Sequence, residues 1–166
     1  KNNTTLDYIY IIDDHGNSYI LKRNGTQKVK INKEIPMSDK NDFDSALIAY
    51  ENAVRLDPDD AESQYQLGKI LSLTKNYDKA ELVLEKARSL RTGHAATHYE
   101  LGRLLLAKGN LNEAEDHLIK ALEKNSDNVN YLLAISKVRS ENNKLDGALE
   151  YLFRVVKIEP KNTDAI

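Results

Sequence analysis

His94 and His98 stand four residues apart, a spacing that puts two imidazoles on one helix face, where a zinc site could begin. A third ligand would have to come from Glu62 or Glu100, and no H-E-x-x-H pattern accompanies the pair. His94 follows Gly93 at an expected helix start, which is an ordinary structural place for it. His15 falls in an expected turn and His117 on an expected helix, both read as surface residues, and neither has the serine and aspartate neighbours of a hydrolytic triad. The run Asp13-Asp14-His15-Gly16-Asn17 lacks the alternating oxygen ligands and closing glutamate of a calcium loop. Asp57-Pro58-Asp59-Asp60 reads as a turn that delivers acids to the positive end of a helix. The chain has no glycine-rich phosphate loop, and no cysteine to supply a thiol nucleophile, a thiolate metal site or a disulfide. The expectation is a chain with no catalytic residues, no metal and no cofactor, and hence no enzyme.

The elements that would carry any other function must fit into 166 residues, enough for one domain with a short appendage. Lys and Arg number 24 against 26 Asp and Glu, a formal charge of −2, which lacks the basic excess that holds nucleic acid through its phosphates. No apolar run is long enough to span a bilayer. Absence of cysteine is compatible with either redox compartment, so localisation stays open. The chain starts at Lys1 without a signal-like leader and ends six residues after Pro160, so a fragment of a longer protein is expected.

An internal period decides the architecture. Ala46, Ala80, Ala114 and Ala148 recur every 34 residues, each preceded at three residues by Phe43, Tyr77, Leu111 or Leu145. Four residues after each alanine come Tyr50, Leu84, Leu118 and Leu152, and seven after come Ala53, Ala87, Ala121 and Val155, the one-face pattern of a helix. Partner helices are expected at Ala61 to Leu73, Ala95 to Ala107 and Val129 to Glu141. Leu67-Gly68 returns as Leu101-Gly102 and, loosened, as Ile135-Ser136. A glycine inside a helix costs about 1 kcal/mol relative to alanine, so its return in phase implies a crossing too close for a side chain. Lys75-Asn76, Gly109-Asn110 and Asn142-Asn143 suit the short turns that fold each pair into a hairpin.

These residues resemble the tetratricopeptide repeat family, whose 34-residue signature runs W-x2-L-G-x2-Y, then A-x3-F, then P. The matching residues are Leu67-Gly68, Leu71, Ala80, Leu84 and Ala87; Leu101-Gly102, Leu105, Ala114, Leu118 and Ala121; and Ile135, Ala148, Leu152 and Pro160. Departures fall at the Trp place, which holds Gln64, His98 and Leu132, and at the Tyr place, which holds Leu71, Leu105 and Arg139. The resemblance covers about Asn41 to Ile166 and implies a mostly α chain, a right-handed α-solenoid of helix-turn-helix repeats. The expected division is a half repeat at 37–60 with only its second helix, repeats at 61–94, 95–128 and 129–162, and the start of a truncated further element at 163–166.

The missing first helix of the half repeat has a local cause: Lys33-Glu34 fall at its Leu-Gly place and Pro36 would break its last turns. Residues 1–36 read instead as a small antiparallel β segment. Its runs are Tyr8 to Ile12, Ser18 to Leu21 and Val29 to Ile31, with Asn24-Gly25 as a hairpin signal. It is expected to act as an N-terminal cap over the helix from Phe43 to Leu56, or to be the end of an upstream domain.

In the family's geometry the first helices line a concave groove, and the ninth residue of each looks into it. Those residues are Lys69, Arg103 and Lys137, and the fifth residues one turn earlier are Tyr65, Tyr99 and Leu133. A cationic row beside aromatic and apolar contacts suits a peptide that is acidic or bears a free carboxylate. The competing reading is a solvated basic face paired with Glu62, Glu100 and Glu141. One subgroup of the family grips chaperone tails with Lys and Asn in its first repeat, Asn in its second, and Lys and Arg in its third. Here Tyr65 and Lys69, Arg103, and Leu133 and Lys137 stand at those places, so the resemblance stops short of that clamp. The leading expectation is a non-catalytic protein–protein interaction module or scaffold. The alternatives are a regulatory or docking domain of a larger enzyme or membrane-associated assembly, and self-assembly as a homo-oligomer through the uncapped final helix, where Leu152, Val155, Val156 and Ile158 lie.

Overall fold

A computed structural model describes residues 8–12, 18–22, 28–31 and 40–162, with side chains from Phe43 to Asn162. The chain divides into two compact units between Pro58 and Asp59. In the first unit, backbone pairing joins Tyr8–Ile12 (β1), Ser18–Lys22 (β2) and Lys28–Ile31 (β3) antiparallel in the order β1-β2-β3, and the helix Lys40–Leu56 (α1) follows. The turn at residues 13–17, including His15, and the Asn24-Gly25 hairpin signal lie outside the described residues, as do Lys33-Glu34, Pro36 and 163–166. So does the terminal Ile166, and with it the chain end that the sequence reading treats as truncated.

The second unit is built from six helices. They are α2 (Ala61–Leu73), α3 (Tyr77–Leu90), α4 (Ala95–Lys108), α5 (Leu111–Lys124), α6 (Val129–Glu141) and α7 (Leu145–Ile158). Helix α2 packs on α3, α4 on α5 and α6 on α7, while α3 meets α4 and α5 meets α6, so hairpins follow one another in a stack. The three hairpin turns are copies of one geometry. Lys75, Gly109 and Asn143, spaced by the sequence period, all take positive φ, at 63°, 82° and 57°. The amide of the next residue then donates back to the carbonyl five residues earlier: Asn76 to Leu71 at 2.8 Å, Asn110 to Leu105 at 2.9 Å and Lys144 to Arg139 at 2.8 Å. This is the closure that satisfies carbonyls left open at a helix C-terminus.

Helix starts repeat in the same way. The Asp60 carboxylate accepts from the Glu62 and Ser63 amides, and Asn128 accepts from the Tyr131 amide at 3.2 Å. His94 holds the equivalent place without a side-chain cap. At the crossings, a Cβ added to Gly68 would lie 2.5 Å from Leu84 Cγ, and one added to Gly102 would lie 2.6 Å from Leu118 Cγ. Both leucines are fully buried, which is why the phase-locked glycines are needed. The core then runs from hairpin to hairpin through Leu105, Leu118, Leu132, Ile135, Val138 and Val155.

His117 is half-buried rather than a surface residue, because its imidazole turns inward against His98, with Nδ1 to Nδ1 at 3.2 Å and ring centroids 5.2 Å apart. One ring donates and the other accepts, so a hydrogen bond joins α4 to α5 where a signature tryptophan would otherwise fill the space.

Candidate partner-binding groove

The first helices α2, α4 and α6 form a row, with α4 touching both of the others. The fifth and ninth residues of each therefore recur along that row. Between α4 and α6 they converge on an open cleft of about 500 Å³ bordered by Tyr99, Arg103, Leu133 and Lys137, with Leu106 and Asn130 beside them. Tyr65 and Lys69, one hairpin earlier, are half-buried and lie outside this cleft. The Tyr65 ring stands edge-on to His94 at 5.3 Å.

The aromatic wall is held from behind. Tyr99 packs on Tyr131 with centroids 4.7 Å apart, and the Arg103 guanidinium lies 5.5 Å over the Tyr99 ring. Glu100 is almost fully buried, and Arg103 donates to it at 3.3 Å. Burial pushes the Glu100 carboxyl up, while the nearby positive charges of Arg103 and Lys69 pull it down. Burial and then the Glu100 charge push the Tyr65 phenol up, and burial followed by Glu100 does the same at Tyr131. These hydroxyls stay neutral hydrogen-bonding groups.

The cationic row is thus unequal. Arg103 is committed to Glu100, as the competing sequence reading anticipates, whereas the Lys69 and Lys137 ammonium groups enter no ion pair with another described residue. Glu62 pairs with Arg91 at 3.9 Å. Glu141 lines the cleft and brings a negative charge to its edge. Sequence reasoning missed Tyr131 as a support, since its role depends on a ring one repeat away and no spacing announces it.

For catalysis the arrangement offers little. His94 Nδ1 meets Thr97 Oγ1 at 2.8 Å, but Thr97 is buried. Among the described residues no three His, Cys, Asp or Glu side chains come together as a metal site. Among them, too, no helix is long and apolar enough to cross a membrane.

A stack of helical hairpins presenting cleft side chains from successive first helices defines a repeat scaffold of the protein-interaction class. The family model described as anaphase-promoting complex, cyclosome, subunit 3 matches residues 39–121, and a tetratricopeptide repeat model matches residues 99–163. The chain belongs to the tetratricopeptide repeat family. Among solved structures it is similar to MamA, at 27% identity and a TM-score of 0.71 over 76% of this chain and 74% of that one. It is also similar to YrrB, described as a TPR protein with an unusual peptide-binding site, at 26% identity and a TM-score of 0.66 over 75% of this chain and 64% of that one. MamA from Desulfovibrio magneticus RS-1, at 21% identity with a TM-score of 0.70 over 75% and 70%, shares the fold. No curated protein matches the chain.

Proposed function

We propose that this chain is a non-catalytic scaffold that holds an acidic or carboxylate-bearing segment of a partner protein along α2, α4 and α6. The observation that carries the reading is the α4–α6 cleft, where Tyr99 and Leu133 offer contact area beside the Lys137 ammonium and the Arg103 guanidinium. Aromatic faces give contact at low entropic cost, and a lysine in no ion pair with another described residue gives a charge-assisted bond. The likeness to YrrB, whose description names a peptide-binding site, supports a peptide as the ligand class. The same proposal divides the chain into an N-terminal segment at 1–36, a half repeat at 37–60, and repeats at 61–94, 95–128 and 129–162. A docking role within a larger assembly is the second reading, favoured because the family matches begin at residue 39 and leave the strands outside.

The test uses acid-rich peptides, with neutral and C-terminally amidated versions as controls, titrated by fluorescence anisotropy. Lys137→Glu is the better reversal, because Arg103→Glu or Lys69→Glu would set a second carboxylate near buried Glu100. Acidic peptides should bind, weaken with salt and lose at least about tenfold in Lys137→Glu, equivalent to about 1.4 kcal/mol. Equal binding of neutral peptides, or no effect of the reversal in a variant of unchanged helicity, overturns the reading.

A further inference from the structure

The ninth residues of α2, α4 and α6 leave two intervals along the row, one from Lys69 to Arg103 and one from Arg103 to Lys137. The sixth residue of the later helix belongs to each interval: Glu100 to the first and, 34 residues on, Ala134 to the second. In the first interval the chain supplies its own anion. Glu100 is almost fully buried, accepts from Arg103 Nη1 at 3.3 Å and feels the Lys69 charge from the helix before. One carboxylate thus serves bases from two successive repeats.

The second interval keeps the bases and lacks the carboxylate. Ala134 stands three residues before Lys137, as Glu100 stands three before Arg103. It borders the same open cleft of about 500 Å³ as Arg103 and Lys137. Its methyl group accepts no hydrogen bond, and Lys137 enters no ion pair with another described residue. Arg103 gives an N–H to Glu100, but a guanidinium carries five, and this side chain is 45% exposed. Glu141 is the acid among the described residues that line the cleft; it is exposed and forms no ion pair with Lys137. With Arg103 shared and Glu141 at the edge, the remaining positive charge suits one carboxylate rather than an acidic run.

We infer that the Arg103–Lys137 interval is a slot for a single carboxylate of the partner, at the place that Glu100 fills one repeat earlier. The slot rests on the groove binding proposed above, and adds to it a position and a number of acids. Ala134 is then the specificity-determining residue, because its short side chain leaves the slot empty.

The test is fluorescence anisotropy with the full chain and two labelled peptides. One is C-terminally amidated and carries a single internal glutamate; the other has neutral side chains and a free C-terminal carboxylate. The peptide that binds more tightly identifies the source of the carboxylate, and a second glutamate should add little. Ala134→Glu supplies the missing carboxylate from the chain itself and should weaken binding at least about tenfold. Asn130→Glu adds the same charge to the same cleft one turn away and should cost much less. Circular dichroism checks that helicity is unchanged, and Ala134→Asp repeats the test with a shorter acid if the longer one disturbs packing. Equal losses at 130 and 134 would mean general repulsion and overturn the slot, as would unchanged binding in the position-134 variants. A wild-type chain that binds neither peptide overturns the groove reading itself.

Discussion

His98 and His117 show how one side-chain pair sets a pH response. Burial comes first, then the His117, Lys120 and Arg88 charges, with Glu85 opposing, and together they hold the His98 imidazole down to about 4. His117 is lowered too, chiefly by burial. A histidine whose folded value lies below its unfolded one contributes stability that is fully present above about pH 6.5 and is lost as pH falls towards the folded value. The urea midpoint should therefore drop between pH 7 and pH 5, and drop less in His98→Phe; equal acid sensitivity in both proteins would place the effect elsewhere. Glu115 gives a second acid-side contribution. Burial alone would raise its carboxyl, but hydrogen bonds from Lys144 and Arg139 hold it below the usual range. Arg139 also stacks over Tyr151 at 4.8 Å, so the residue that breaks the apolar signature of α6 is one of the ties between the second and third hairpins.

Helix elements are fixed by their turns and crossings, and those can be tested one at a time. At Gly102 an added methyl meets Leu118 Cγ at 2.6 Å and the Ala114 carbonyl at 3.2 Å, and the second of these is backbone that cannot rotate away. Alanine gains about 1 kcal/mol of helix propensity but overpacking costs about 1–3 kcal/mol, so Gly102→Ala should destabilise by about 1 kcal/mol, read as a lower chemical denaturation midpoint. A midpoint that rises would mean α4 and α5 can part without loss. The period and the turn residues made these elements legible in sequence, because every hairpin solves the same packing problem with the same residue types. The His98–His117 bond was not legible: its partners lie 19 residues apart on two helices, and neither repeats in the neighbouring units.

Across the molecule, a stacked array holds each unit mainly by its neighbours, so stability varies along it. Helix α5 buries Ala114, Glu115, Leu118, Ala121 and Leu122, whereas the buried residues of α7 are Ala148 and Val155. In hydrogen exchange of the dilute chain, α7 amides should lose protection before those of α4 and α5. Exchange that starts in the α4–α5 hairpin would contradict a ranking set by burial.

The sequence alone determined the repeat: small residues at crossings, bulky ones facing them and turn-formers between them leave helical hairpins as the arrangement in which each apolar face is buried. It also named the six candidate groove residues, since phase within a repeat fixes which face a side chain takes. Tertiary structure decided what those residues have available to bind with. Four of the six meet at one cleft, Arg103 is spent on a buried glutamate that also feels the Lys69 charge, and Lys137 enters no ion pair with another described residue. The reason is that a periodic pattern specifies direction from the helix axis, whereas pairing and burial depend on distances between helices that share no local sequence.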